Sequence, residues 1–125
     1  MQDFRKLKTW EKSHRLALRV YQITRLFPKE EKFGLVSQMR QSAASIPTNI
    51  AEGCGRGGGA DMARFLQISI GSAHELDYQV LLSKDLGYLS PEDYQDFFST
   101  LTDLKRMLAG LLTKVRSASP KGGIR

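Results

Sequence analysis

Residues 45–59 read SIPTNIAEGCGRGGG, and two readings compete for them. Gly53-Cys54-Gly55-Arg56-Gly57-Gly58 satisfies G-x-G-x-x-G letter for letter. That pattern cradles nucleotide phosphates when it follows a strand and opens a helix. Here no strand precedes it. A helical period begins near Glu30 and passes straight through Pro47. Val36, Met39, Ala43, Ile46, Ile50 and Gly53 fall on one face, and Gln38, Ser45, Asn49, Glu52 and Arg56 on another. Arg40, Ala44, Pro47 and Ala51 share a third. The glycines therefore meet the carbonyl end of a helix, which has the wrong sign for phosphate. The following helix has Asp61 in its first turn, and no Gly-Lys-Ser/Thr follows the loop. The glycines end one helix and reverse the chain, and no ligand is expected at Gly55–Gly59. Inside the helix, Pro47 removes the bond to the Ala43 carbonyl, a cost of about 3 kcal/mol in an unsupported helix. A bend, with Ser45, Thr48 or Asn49 supplying a donor, is the expected accommodation.

Two further breaks flank this helix. Phe27-Pro28-Lys29-Glu30-Glu31 closes one segment and opens the next with acids in the first turn. In Gly87-Tyr88-Leu89-Ser90-Pro91, Gly87 suits a helix end, Ser90 a cap and Pro91 a first turn. The breaks predict four helices, over about residues 9–26, 30–54, 60–86 and 91–117, in one unit spanning 1–117. Residues 118–125 read as a flexible basic tail.

The helices carry bundle periodicity. In the first, Leu16, Val20, Ile23 and Phe27 form one stripe. Trp10, His14, Ala17, Tyr21 and Thr24 form a second, about 120° around. In the fourth, Phe97, Leu101, Leu104, Leu108, Leu111 and Val115 repeat as a seam. The third buries Met62, Leu66, Ser69, Ala73, Leu76 and Val80. Its opposite face, Arg64, Ile68, Gly71, Glu75 and Leu82, is not properly polar, so another subunit is expected there. Short links between long helices favour an all-α, antiparallel up-down-up-down four-helix bundle.

Charge is divided along the chain. The total is +6 over 125 residues. Residues 1–29 hold eight basic and two acidic side chains, and residues 105–125 hold six basic and none acidic. The middle carries five basic against eleven acidic. An up-down-up-down bundle brings both basic ends to one pole, a surface for a polyanion. The candidate contacts are Arg5, Lys6, Lys8, Lys12, Arg15, Arg19, Lys114 and Arg116, touching phosphate without reading bases; Lys121 and Arg125 are expected at the same pole. Aromatic stacking platforms are not evident. The other reading of the charge is solubility alone.

Other chemistry finds little support. His14 and His74 lack partners at ligand spacing, and the Glu-x-x-His pairs of di-metal bundles are missing around Glu52, Glu75 and Glu92. Glu52 and Glu75 instead suit ion pairs with Arg40, Arg56 or Arg64 at a subunit seam. No nucleophile elbow is present. No catalysis, metal or cofactor is expected. Cys54 is the only cysteine, which suits a reducing cytoplasm. MQDFRKLKTWEKSHR lacks the apolar core of a signal peptide, and no apolar run of about 18 residues exists for a membrane span.

The residues also resemble a family. The carrying segments are FRKLKTWE (4–11), FPKEE (27–31), RQSAASIPTNIAEG (40–53), RFLQI (64–68), GSAHEL (71–76) and LGYL (86–89). Together they resemble the bacterial four-helix-bundle family of 23S rRNA-intervening-sequence proteins over nearly the whole chain. The resemblance implies a cytoplasmic homopentameric barrel of bundles without enzymatic activity. It also implies similarity to the accessory variability determinant of diversity-generating retroelements, which binds nucleic acid and partners a reverse transcriptase. The expectation is thus an oligomeric RNA- or DNA-binding accessory protein. A protein-protein scaffold without nucleic-acid binding is the alternative. Gly57-Gly58-Gly59 departs from the family pattern, where serine and other polar residues are common.

Overall fold

The computed structural model describes residues 2–118, and all of their regular structure is helical. Four long helices, α1 (Lys8–Thr24), α2 (Leu35–Gly55), α3 (Gly59–Asp85) and α4 (Pro91–Ala118), are joined by short links. Short 3-10 turns lie at Phe4–Lys6 and Lys29–Glu31. α2 packs most extensively on α3, α3 on α4 and α1 on α2, while α1 and α4 touch least. The apolar stripes meet in one core. Leu16 and Val20 of α1 join Met39, Ile46 and Ile50 of α2, Leu66, Leu76 and Val80 of α3, and Phe97, Leu101, Leu104 and Leu108 of α4. Each such side chain contributes about 1.5–3 kcal/mol relative to exposure.

Pro47 lies inside α2 and is buried. The polar groups around it serve neighbouring carbonyls rather than that of Ala43. Asn49 Nδ2 donates to the Ser45 carbonyl at 2.8 Å, and Ser69 Oγ donates to the Ile46 carbonyl at 2.9 Å. The Ser45 and Ser72 hydroxyls share a hydrogen bond at 2.7 Å. Further along, α3 comes close to Gly53. A Cβ there would lie 2.7 Å from Met62 Sδ and 3.2 Å from Phe65 Cβ.

Three boundaries and faces differ from the sequence reading. The second helix starts at Leu35, not Glu30, because residues 29–31 form a tight turn and Gly34 caps the helix at φ −109, ψ −108. Glu31 fastens this entry: its carboxylate accepts from the Leu35 N–H at 3.4 Å and the Tyr88 hydroxyl at 2.9 Å. In α4 the core position near the C-terminus is Leu112; Leu111 and Val115 are only partly buried. In α3, Leu82 packs against the core rather than joining the outer face. An α-helix drifts about 20° per heptad relative to a straight seam, so a stripe read at fixed angle slips over such lengths.

The α3–α4 corner matches its sequence signals. Gly87 has φ +84, its N–H bonds the Lys84 carbonyl at 2.9 Å, and the Tyr88 N–H bonds the Ser83 carbonyl at 2.8 Å. This is a Schellman end, which needs a left-handed residue. Ser90 Oγ then accepts from the Asp93 N–H at 3.0 Å and caps α4. The α2–α3 link works differently. Arg56 and Gly58 are extended, and Gly57 has open space about it without left-handed backbone.

A glycine series tests these distinctions by denaturant unfolding. Gly87→Ala is expected to cost about 1–2 kcal/mol, the penalty of a left-handed alanine. Gly53→Ala is expected to cost about 1 kcal/mol, as overpacking against Met62 and Phe65 outweighs the helix gain. Gly57→Ala is expected to be neutral or stabilising by a few tenths of a kcal/mol. Equal effects at all three positions would contradict the roles assigned.

Candidate functional site

One end of the molecule gathers the chain's separated basic segments. The Gln2 N–H bonds the Cys54 carbonyl at 3.3 Å, which holds the N-terminal segment over the end of α2. Gln2, Arg56, Gly57–Gly59 and Met62 line one recess together with Val115 and Ala118 of α4. Lys6 and Lys8 follow Gln2 closely, and Lys114 and Arg116 flank Val115. All four side chains are exposed, and none has a carboxylate within 4.0 Å among the described residues. Lys121 and Arg125 lie outside the described residues, as does the tail from residue 119.

The other four candidate cations are engaged within the chain. Arg5 pairs with Asp3 at 3.6 Å and Arg15 with Glu11 at 3.6 Å. Lys12 pairs with Asp103 at 3.9 Å and Arg19 with Asp96 at 3.4 Å, both across the α1–α4 seam. The Arg19 guanidinium also covers the Phe97 ring at 4.4 Å. Arg19 and Lys12 are thus half-buried seam residues as well as charges. Sequence counting could not see this, because their acids lie 91 and 77 residues away. Exposed pairs of this kind are worth about 0–1 kcal/mol.

A second feature is an apolar groove of about 660 Å³ between α1 and α2. Its walls include Phe4, Trp10, His14, Ala17, Leu18 and Tyr21 on one side and Ala44, Pro47, Thr48 and Ala51 on the other. Trp10 stacks on His14 at 4.9 Å and 10°, and Phe4 meets Trp10 edge-on at 4.9 Å. Arg5 lies 4.4 Å over Phe4. The second stripe of α1 was visible as a period, but the groove also needs the N-terminal turn and α2.

The seam candidates separate onto two sides of the molecule. Arg40 points to α1: its Nε donates to Thr24 Oγ1 at 3.0 Å and a terminal nitrogen donates to the Tyr21 carbonyl at 3.2 Å. Glu52 and Arg56 pair with each other along α2 at 2.9 Å. Arg64 pairs with Asp61 at 3.8 Å and covers Phe65 at 4.5 Å. Ile68 is 42% exposed, and a side chain added at Gly71 would meet no atom within 4 Å. Glu75 shares a small polar recess with Gln38, Gln41, Ser42, Ser45 and Ser72. Tyr78, 61% exposed, is an outer apolar residue of α3 that the stripe omitted. Among the described residues no group of three His, Cys, Asp or Glu is placed to hold a metal. No helix among them is long and apolar enough to cross a membrane.

Comparison with known proteins agrees with this architecture. The family model for 23S rRNA-intervening sequence protein matches residues 5–110. A crystal structure from Bacteroides thetaiotaomicron VPI-5482, of a protein with unknown function from the S23 ribosomal protein family, is similar at TM-score 0.78 and 25% identity. The match covers 84% of this chain and 95% of that one. No curated protein matches.

The thiol at the glycine end reports on how closed this pole is. Burial, and then the nearby Asp3 carboxylate, raise the Cys54 thiol above its ordinary pKa. A raised pKa leaves less thiolate, the reactive form. Native protein at pH 8 is expected to react with a thiol reagent at least tenfold more slowly than unfolded protein. An equal rate would show that the end of α2 is open.

Proposed function

The chain belongs to the 23S rRNA-intervening sequence protein family, and from that premise we propose that it is a non-enzymatic, self-assembling nucleic-acid-binding accessory protein. In this reading the four helices form an antiparallel up-down-up-down bundle. Contacts in opposite order support it: Gly53 with Met62, Ser45 with Ser72 and Met39 with Ser83 between α2 and α3. Lys12 with Asp103 and Arg19 with Asp96 do the same for α1 and α4. The assembly is a homopentameric barrel in the cytoplasm, needing no cofactor.

The observation that carries nucleic-acid binding is the meeting of the N-terminal segment and the end of α4 at one recess, through Gln2, Val115 and Ala118, with Lys6, Lys8, Lys114 and Arg116 close by in sequence, exposed and free of carboxylate partners among the described residues. Exposed cations without partners contact phosphates and release counterions. Arg5 and Arg15 join by exchanging weak surface pairs for phosphate, whereas Lys12 and Arg19 hold the α1–α4 seam and contribute less. Contacts run to the RNA or DNA backbone, so sequence preference is slight. A reverse transcriptase is the protein partner in this proposal, and co-purification with one encoded nearby is its test. The engaged state of half the candidate cations favours the second reading, a scaffold that binds protein only.

A gel-shift titration of mixed-sequence RNA and DNA across salt separates the two. Wild type is expected to bind at low salt and lose affinity steeply as salt rises. Lys8→Ala with Lys114→Ala is expected to weaken binding and flatten the log–log salt slope by about 0.7–0.9 per lost contact. Arg19→Ala is expected to change stability more than binding. A folded wild type that binds neither polymer at low salt leaves the scaffold reading standing alone.

A further inference from the structure

We propose that the α1–α2 groove is a socket for the outer ridge of α3 from a second copy, seated at equal height so that successive contacts close into a ring. This rests on the self-assembly reading above and adds to it the two surfaces and their register.

The ridge is Arg64, Ile68, Gly71 and Glu75, spaced to lie on one face of α3. It spans about 16 Å at 1.5 Å per residue. The socket floor on α2 is Ala51, Pro47 and Ala44, with Glu52 at one end and Arg40 beyond the other. Small side chains and a bare Gly71 allow two helix backbones to come close. An apolar groove of this size walled by Trp10, Leu18 and Tyr21 is costly to leave in water.

Contacts within one copy fix the heights. Ser69 reaches the Ile46 carbonyl and Ser45 meets Ser72, so Ile68 is level with Pro47 and Gly71 with Ala44. Glu75 shares a recess with Gln38 and Gln41, which brackets Arg40. Phe65 lies against Gly53, which sets Arg64 level with Glu52. Within a chain these partners cannot meet, because Arg40 faces α1 while Glu75 lies on the α3 side of α2.

Between copies at one height, all four positions match at once. Ile68 of one copy meets Pro47 of the next, Gly71 meets Ala44, Glu75 meets Arg40 and Arg64 meets Glu52. The charges agree in sign at both ends. Arg40 and Glu75 have no ion pair among the described residues. Arg64 and Glu52 hold only neighbours on their own helices. A shift of one turn would set Glu75 against apolar Ala44 and lose both pairs. Different surfaces on the two copies make the contact heterologous; with zero rise along the helices, successive contacts close into a ring when the rotation between copies divides the circle.

Cysteine pairing between single variants tests the register, with wild type as the control for Cys54. Ala44→Cys and Gly71→Cys are made separately, mixed after unfolding and refolding together, and oxidised. The expected result is a disulfide dimer in the mixture and little in either variant alone. Light scattering should give a closed assembly of several 14.1 kDa chains. Gly71→Arg, at a position with open space about it, should keep its helical circular dichroism and scatter as a single chain.

An assembled wild type whose mixture gives no cross-link, or whose variants each pair with themselves, overturns the proposed register and leaves self-assembly intact. A wild type that stays monomeric at all concentrations overturns both. A monomer whose Trp10 fluorescence responds to added oligonucleotide, but not to protein concentration, assigns the groove to nucleic acid instead.

Discussion

The close approach of α2 and α3 governs the rest of the molecule. Where Gly53 has no side chain, Met62 and Phe65 move in against the α2 backbone. Eight residues earlier, Ser69 and Ser72 bond to Ile46 and Ser45. These contacts fix the separation and register of the two helices at both ends of the Pro47 turn. Glycine at that position is a packing requirement, not a conformational one. The same closeness orients α2 so that Ala44, Ala51 and the buried Pro47 line the floor of the groove beside α1.

The core was legible from spacing, because a buried stripe repeats locally. Leu66, Leu76, Val80, Phe97, Leu101 and Leu104 are all fully buried where the period places them. The Gly87–Ser90 corner was equally readable, since its chemistry is carried by the residues that form it. The start of α2 was not. Glu31 holds that entry through Leu35 and Tyr88, and the second partner is remote in sequence. The phosphate-like spelling of residues 53–58 misleads for a related reason. Spelling records neither the polarity of the helix before it nor the absence of a strand.

The basic pole was legible only in outline. Net charge by segment identifies where cations accumulate, yet it cannot pair Lys12 with Asp103 or Arg19 with Asp96. Those pairs depend on α4 lying beside α1. The groove was half legible: the Trp10 stripe was visible, but its aromatic wall needs Phe4 from the N-terminal turn. A surface assembled from three segments leaves no single period to find. Arg40 shows the same limit, since two of its nitrogens donate to Thr24 and Tyr21 of another helix.

The unequal packing of α1 has a kinetic consequence. Helices adjacent in sequence also pack most closely, so most of the fold closes over short loops, which favours rapid folding. The α1–α4 contact is the one that spans the greatest chain length, and it is the slightest. Its ion pairs are weak surface pairs. Local opening of least free energy therefore falls on α1, ahead of the α2–α3 hairpin. That helix forms one wall of the groove and begins at Lys8 of the basic pole. Any partner that covers either surface must tie down the helix most ready to leave, so its binding would register as slower hydrogen exchange along α1.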